Sequence, residues 1–240
     1  MVAEGFAGVT VERDAIAAEG TLFARLREAA RASWESYVAH TFVRGLTDGS
    51  LPEAAFRRYL TQDYLFLIHF ARAYALAAFK HAAVAEIRGA AATLHALIDR
   101  EMSLHVAYCA QWGIDEAAME AEPEAEETMA YTRYVLERGL AGDVLDLEVA
   151  LAPCVIGYAE IGARMTRDPA LALEGNPYRA WYEMYSAAEF RALAEEAIAR
   201  LDRVGAARGA NARWPELVRT FEAACRLEAR FWQMGLAAAA

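Results

Sequence analysis

The stretch "SLPEAAFRRYLTQDYLFLIHFARAYALAAF", residues 50–79, decides the fold because it predicts one long helix. Ser50 and Glu53 match a capping box with a proline in the first turn. Apolar side chains then recur at intervals of three and four residues, as in a helix that buries one face. This apolar stripe consists of Phe56, Leu60, Leu67 and Phe70. Asp63 lies in the middle of the stripe.

The same period recurs along the rest of the chain, and no segment shows the alternation typical of strands. The predicted helices cover about 22–40, 53–79, 82–112, 124–138, 143–166, 177–203 and 214–236. Asn176 and Pro177 are expected to open the sixth helix, and Trp214 and Pro215 the seventh. Short turns join the helices, without a linker rich in proline, glycine or serine. The sequence therefore predicts an all-α fold, a single-domain helical bundle of about seven helices.

We expect this domain to span residues 21–236, with an N-terminal arm at 1–20 and a C-terminal tail at 237–240. The net charge is −10, from 24 Lys and Arg against 34 Asp and Glu. An acidic chain without a basic run repels phosphate backbones, so nucleic acid is not an expected partner. The longest uncharged apolar run, residues 149–159, is far shorter than the roughly 20 residues that cross a bilayer.

The N-terminal sequence lacks the pattern of a signal peptide, and three widely spaced cysteines form no disulfide framework. These features predict a cytoplasmic protein without a membrane partner. Phosphate-binding loops, dinucleotide fingerprints and nucleophile elbows are also absent from the sequence.

Two acids occupy helix faces that the apolar period assigns to the core. One is Asp63; the other is Glu228, which shares a face of the last helix with Phe221, Cys225 and Trp232. A carboxylate removed from water is costly unless it is hydrogen-bonded or neutralised. Each acid is therefore either a functional group or a structural one that caps a loop or pairs with arginine.

The segment "LAPCVIGYAEIG", residues 151–162, places a proline inside a predicted helix, at a cost of about 3 kcal/mol. Cys154 follows Pro153 and shares a helix face with Tyr158. It is either an inert buried cysteine, the common case, or a thiol that the proline helps to open towards a cavity. Cys109 and Cys225 lie beside no such irregularity and are interpreted as core residues.

Tyrosines are abundant in the second half of the chain. They include Tyr131, Tyr134, Tyr158, Tyr182 and Tyr185. Most are expected to fill the core with the hydroxyl at its edge, while a few could stack on a flat heteroaromatic ring and donate hydrogen bonds to it. That combination suits a small nitrogenous ligand.

The positions of the histidines disfavour a metal site. Glu101 and His105 lie four residues apart on one helix face, a workable ligand pair. Di-iron bundles, however, use a Glu-x-x-His motif from each of two helices. All five histidines fall at or before position 105, so a second histidine-bearing half-site cannot be built. The sequence predicts neither a metal nor another cofactor.

Five segments together resemble the TenA family, also called thiaminase II. They are "HTFVRGLTDGSLPEAAFRRYLTQDYLFLIHFARA", "YTRYV", "LAPCVIGYAEIG", "NPYRAWYEMYSAAEF" and "EARFWQM", in the family's order within residues 22–236. The resemblance implies an all-α fold of the haem-oxygenase type, commonly a homotetramer. It also implies an enzyme of thiamin salvage that hydrolyses 4-amino-5-aminomethyl-2-methylpyrimidine to the hydroxymethylpyrimidine, with thiamin as a second substrate left open.

The resemblance also implies roles for single residues. Cys154 matches the family's nucleophile, Glu228 its catalytic acid and base, and Asp63 the carboxylate that recognises the aminopyrimidine. Tyrosines of the family's pocket match Tyr131, Tyr158 and Tyr185. Phe66 stands where the family often has a tyrosine, so a stacking role is retained and a hydroxyl role is lost.

Two other functions stay open on the sequence. A non-catalytic pyrimidine-binding or regulatory protein would use the same pocket. A metal-dependent oxidase of the haem-oxygenase type is disfavoured by the distribution of histidines.

Overall fold

The structure is a computed structural model that describes residues 16–240. Within this range the chain forms twelve α-helices and one π-helical turn, without a strand. The helices are α1 (Leu22–Ala29), α2 (Arg31–Val38), α3 (Thr41–Asp48), α4 (Glu53–Lys80), α5 (Val84–Ala96), α6 (Met102–Ala110), α7 (Glu116–Ala121), α8 (Glu126–Ala141), α9 (Val144–Arg167), α10 (Arg179–Tyr185), α11 (Ala188–Ala207) and α12 (Trp214–Ala237). The π turn (Leu97–Glu101) joins α5 to α6. The prediction of an all-α fold is confirmed.

The helices are more numerous than the seven predicted, because several predicted helices are interrupted. The first divides at Ala30, which takes a non-helical backbone conformation. The third contains the π turn, and the sixth is broken at residues 186–187. The hydrophobic period reports which face is buried, and it continues across interruptions of one or two residues. The short helices α3 and α7 were not predicted.

One predicted capping motif and one predicted helix start are wrong; the start of α4 at Glu53 agrees with the prediction. Helix α4 is preceded by Pro52, which provides no side-chain cap, so Ser50 and Glu53 do not form a capping box. The Ser50 backbone N–H is bonded to the Asp48 carboxylate instead. Helix α10 begins at Arg179 rather than at Pro177. Asn176 lies ahead of it, where its Oδ1 accepts from the Tyr178 backbone N–H and its Nδ2 donates to the Leu46 carbonyl. The start of the last helix at Trp214 is confirmed.

Helix α9 is the centre of the bundle. It is buried on every face from Val144 to Gly162, and it packs against α8, α11 and α12. A helix that is apolar all round is one that neighbours surround. The helix continues through Pro153 without interruption. Gly162 lets the backbone of Tyr185 approach so closely that an added Cβ would lie 2.3 Å from the Tyr185 carbonyl oxygen, and this contact fixes the end of α10 against α9.

The expected N-terminal arm falls mostly on residues 1–15, which lie outside the described residues. Its last part reaches the core, since Ile16 and Ala17 are buried. The expected C-terminal tail begins inside α12, which ends at Ala237. Among residues 16–240, no helix has both the length and the apolar composition needed to cross a membrane.

Candidate active site

A cavity of about 470 Å³ opens between the π turn, α9 and the start of α11. Its wall is formed by Ala96, Leu97, Arg100, Glu101, Cys154, Val155, Tyr158, Met184, Ala187, Glu189, Phe190 and Leu193. The lining is mainly apolar, with a thiol, a phenol and a buried carboxyl among the exceptions. A largely apolar cavity with a few converging polar groups is the usual form of a small-molecule site.

Cys154 reaches this cavity from α9 and is 7% exposed. Burial raises the pKa of its thiol well above the ordinary value, and the charges of Glu228, Glu101 and Asp63 raise it further. The thiol is therefore neutral at rest. Of these three acids, Glu101 lines the same cavity as the sulfur.

Glu228 is buried on α12, where its side chain accepts a hydrogen bond of 2.8 Å from the Tyr131 hydroxyl. Burial raises the pKa of Glu228 well above its ordinary value; the Tyr131 hydrogen bond lowers the pKa, while the charges of Asp63 and Glu101 add to the rise. A raised pKa favours the protonated form of this carboxyl, which is the form that a general acid requires.

Asp63 is buried on α4 and contacts His105 of α6, with 2.6 Å between Asp63 Oδ2 and His105 Nε2. The other ring nitrogen, Nδ1, lies 2.7 Å from the Glu101 carbonyl oxygen, so Nδ1 must donate. Burial lowers the pKa of His105, but the hydrogen bond and charge of Asp63 outweigh burial and the pKa is raised overall. His105 thus fixes one oxygen of Asp63 and leaves the other to accept from a ligand.

Glu101 was considered in the sequence only as a metal ligand. Its side chain accepts a hydrogen bond of 2.6 Å from the Tyr185 hydroxyl. Burial and the charge of Asp63 raise the pKa of Glu101 to about 7. The four-residue spacing of Glu101 and His105 signalled two polar side chains on one face, but it did not reveal that one faces a cavity and the other holds Asp63.

Aromatic rings fill the space around these acids. The centroid of Phe66 lies 4.9 Å from that of Tyr131, and Tyr158 lies 4.8 Å from Tyr185. The Tyr158 hydroxyl is also 3.4 Å from that of Tyr59, which sequence reasoning did not single out. Stacking surfaces and hydroxyl donors are therefore present side by side, as a flat nitrogen heterocycle requires.

Of the residues to which the sequence analysis gave a catalytic or substrate-binding role, Cys154 and Tyr158 line the cavity; Glu101, which it weighed as a metal ligand, lines it as well. Asp63 and Glu228 are buried, do not line the cavity, and have His105 and Tyr131, not arginine, as partners. Cys109 and Cys225 are fully buried and do not line the cavity. Among residues 16–240, no three His, Cys, Asp or Glu side chains are arranged to hold a metal.

The chain is similar to known proteins, and this similarity identifies its family. The TENA/THI-4/PQQC family model matches residues 27–238. An aminopyrimidine aminohydrolase of Halalkalibacterium halodurans is 37% identical over 212 residues, which cover 88% of this chain and 93% of that protein. A crystal structure described as a TenA family transcription regulator, from a Silicibacter species, is 44% identical at a TM-score of 0.83, covering 89% of this chain and 96% of that one.

A more distant structure identifies the fold alone. A Shewanella denitrificans domain of unknown function with a haem-oxygenase-like fold matches at a TM-score of 0.68 and 16% identity, covering 88% of this chain and 90% of that one. The expected haem-oxygenase-like fold is therefore confirmed. Since the family model spans nearly all of the described residues, the chain belongs to the TENA/THI-4/PQQC family.

Proposed function

We propose that this protein is an aminopyrimidine aminohydrolase of thiamin salvage that uses Cys154 as its nucleophile. The observation that carries the proposal is the Cys154 thiol in the wall of an apolar cavity, with the buried Glu228, whose pKa is raised, among the acids that act on the thiol. The 37% identity to a protein named for this activity supports the reaction. The substrate is 4-amino-5-aminomethyl-2-methylpyrimidine, and the product is the hydroxymethylpyrimidine.

Binding of the ring is assigned to Asp63 and the aromatic side chains. The free oxygen of Asp63 accepts from the 4-amino group and fixes the ring's register, while His105 holds the other oxygen. Phe66 stacks on the ring, as its position beside Tyr131 allows. Tyr158 and Tyr185 close the pocket and assist proton transfers with their hydroxyls.

The first chemical step joins sulfur to the ring carbon next to the one that bears the methylene. The electron pair of the carbon–nitrogen double bond moves to the ring nitrogen, which takes the proton of Glu228. Glu228 then receives the thiol proton. Because the net change is transfer of one proton from sulfur to nitrogen, no free thiolate accumulates among the three acids.

The second step expels the amine. The bond between methylene and nitrogen breaks, and its electron pair leaves with the nitrogen as ammonia. The 4-amino nitrogen supplies electrons to form the exocyclic double bond and gives a proton to Asp63. Water then adds to the methylene, its proton goes to ammonia, and Asp63 returns the proton to the 4-amino group. Glu228 takes the ring-nitrogen proton back and reprotonates the departing sulfur.

Turnover of 4-amino-5-aminomethyl-2-methylpyrimidine, followed as release of ammonia, tests the proposal. A binding or regulatory protein would retain the pyrimidine without releasing ammonia. Exhaustive chelation is expected to leave the rate unchanged. A rate that is lost with chelator and restored by one metal would favour the oxidase function instead.

We further propose a homotetramer in the cytoplasm, as the family resemblance and the sequence predict. Phe79 and Leu140 support assembly, because these large apolar side chains are 86% and 70% exposed. They lie near the ends of α4 and α8, which the hydrogen bond from Lys80 to the Gly142 carbonyl joins. Exposed apolar surface of this kind marks protein contacts. Light scattering should give four times the chain mass of 26.4 kDa.

A further inference from the structure

Glu101 lies in the cavity wall with Cys154, yet the mechanism above gives its carboxyl no role. It is 8% exposed, whereas the other charged residues of that wall, Arg100 and Glu189, are exposed. A buried carboxyl beside an apolar cavity is costly when it is ionised and unpaired. A cationic group of a ligand inside the cavity would offset that cost.

The local structure holds this carboxyl in place. Glu101 is the last residue of the π turn, and π turns inside helices are frequent at functional sites. The Tyr185 hydroxyl fixes Oε1, so Oε2 can receive a ligand. On the backbone side, the Glu101 carbonyl oxygen accepts from His105, the residue that also contacts Asp63. Glu101 is therefore anchored next to the acid that we assign to the 4-amino group.

The connectivity of the substrate indicates where its leaving amine lies relative to Glu101. In the pyrimidine ring, the carbon that bears the aminomethyl group lies between the carbon with the 4-amino group and the carbon that sulfur attacks. With Asp63 at the first and Cys154 at the second, the leaving amine must lie between these two side chains. Glu101 interacts electrostatically with both, since its charge raises the pKa of Cys154 and the charge of Asp63 raises that of Glu101.

We propose that Glu101 binds the cationic leaving group and so makes the site select pyrimidines whose methylene carries a positive charge. The inference rests on the proposed function. An ammonium group, as in the aminomethylpyrimidine, or a thiazolium, as in thiamin, pairs with the carboxylate. A formylated amine is neutral and gains nothing from this contact, so it is the poorer substrate.

Glu101 acts mainly on binding. When the carbon–nitrogen bond breaks, its electron pair leaves on the nitrogen as neutral ammonia, and the positive charge passes to the 4-amino group beside Asp63. The ion pair with Glu101 is thus at least as strong in the bound substrate as in the transition state. An interaction that is not strengthened in the transition state affects KM more than kcat.

The test compares Glu101→Gln with wild type on the aminomethylpyrimidine and on its N-formyl derivative. Glutamine keeps the size and the acceptor for Tyr185 but loses the charge. We expect KM for the aminomethylpyrimidine to rise by about 30-fold or more, the effect of truncating one partner of a buried charge pair. We expect kcat to stay within a few-fold, and KM for the neutral derivative to be unchanged. Asp99→Asn is the matched control, because Asp99 lies on the same π turn but is exposed and outside the cavity wall.

Three results would overturn the inference, and they are distinguishable. Equal effects of Glu101→Gln on the charged and the neutral substrate would remove Glu101 from selection while leaving the proposed function intact. Equal kcat/KM of the wild type for both substrates would do the same even if the variant failed to fold. Wild-type protein without turnover of either substrate would overturn the proposed function and this inference with it.

Discussion

Six carboxyls are buried within residues 16–240, and they fall into two groups with different partners. The arginine-paired carboxyls are Asp146, Glu148 and Glu160, all on α9. The site carboxyls are Asp63, Glu101 and Glu228, held by His105, Tyr185 and Tyr131. Both groups are equally removed from water, so burial alone does not distinguish a structural acid from a functional one. The partner does.

The arginine-paired carboxyls connect α9 to its neighbours. Arg200 of α11 lies 3.0 Å from Glu148, and Arg213 lies 2.5 Å from Asp146. Glu160 contacts Arg164, and also Arg27 of α1 at 3.0 Å. A guanidinium offers such a carboxylate an opposite charge and several hydrogen-bond donors. A tyrosine hydroxyl carries no charge to offset burial, so burial raises the pKa of Glu101 to about 7 and that of Glu228 well above its ordinary value.

The largest effect is expected at Cys154, the thiol that faces the site carboxyls. Cys154→Ser should lose almost all turnover while retaining the thermal midpoint, because a hydroxyl is a far weaker nucleophile in the same place. Cys225→Ser is the control: it is also buried near Glu228 but does not line the cavity. Wild-type turnover by Cys154→Ser would contradict covalent catalysis.

The next largest effect is expected at Glu228, where a substitution should lower kcat, as no substitution of an arginine-paired carboxyl should. Glu228→Gln keeps the size of the side chain and an acceptor for Tyr131, but it cannot transfer a proton. We expect kcat to fall by roughly 10²–10⁴-fold, the usual contribution of a general acid and base, with a smaller change in pyrimidine binding. The thermal midpoint should change little. Lower stability with normal kcat would make Glu228 a structural residue.

Glu148→Gln should give the opposite pattern. It leaves the charge of Arg200, which is 1% exposed, without its counter-ion. Removing one partner of a buried ion pair destabilises a protein by about 3–5 kcal/mol, so the free energy of unfolding should fall by that order while kcat stays near normal. Denaturant unfolding and kcat measured on one preparation give both values. Glu195→Gln, which removes an exposed pair with Arg191, is the control and should change far less.

The sequence identified some of the six buried carboxyls and not the others. The apolar stripes located Asp63 and Glu228, because a carboxyl at a core position violates the helical period visibly. The same rule gave no way to tell them from Glu148 and Glu160, which lie on a helix that is apolar all round. Glu148 pairs with an arginine 52 residues away, and Glu160 pairs with one 133 residues away in addition to Arg164 on its own helix. The two long-range pairings are properties of the fold rather than of local sequence.

The sequence did not predict that Glu101 lies in the cavity wall, for a related reason. A regular helix was predicted through its position, whereas the π turn alters which side chains face the cavity there. The capping box at Ser50 failed because Asp48 competes for the same backbone N–H, a choice that the motif alone does not show. Family resemblance supplied the roles of Cys154 and the tyrosines, which periodicity could only mark as candidates.

The smallest expected effect concerns the stability of the site carboxyls as a function of pH. The pKa of Glu101 is 4.5 in an ordinary setting and about 7 in the folded protein, where Asp63, His105 and Tyr185 face it. Between these two pH values the folded protein binds more protons than the unfolded chain. The free energy of unfolding therefore decreases as pH rises through this window, by up to about 3 kcal/mol from this residue.

Glu101→Gln removes this proton uptake, because an amide does not titrate. At pH 5 the variant and the wild type should be about equally stable. At pH 8 the variant should be the more stable protein by up to about 3 kcal/mol, since the wild type then carries an ionised carboxyl in a buried position whose hydrogen-bond donor is the uncharged Tyr185 hydroxyl. The rise in the pKa of Glu228 has the same sign in both proteins, so most of its effect cancels from the difference.

Denaturant unfolding at pH 5, 6, 7 and 8 measures the difference directly, and the Asp99→Asn curve should run parallel to the wild type. If the Glu101→Gln curve runs parallel to the wild-type curve, another group neutralises Glu101, and this acid belongs with the arginine-paired carboxyls. If the variant is the more stable protein above pH 7, the wild type retains a destabilising charge at the place that we assign to the cationic group of the substrate.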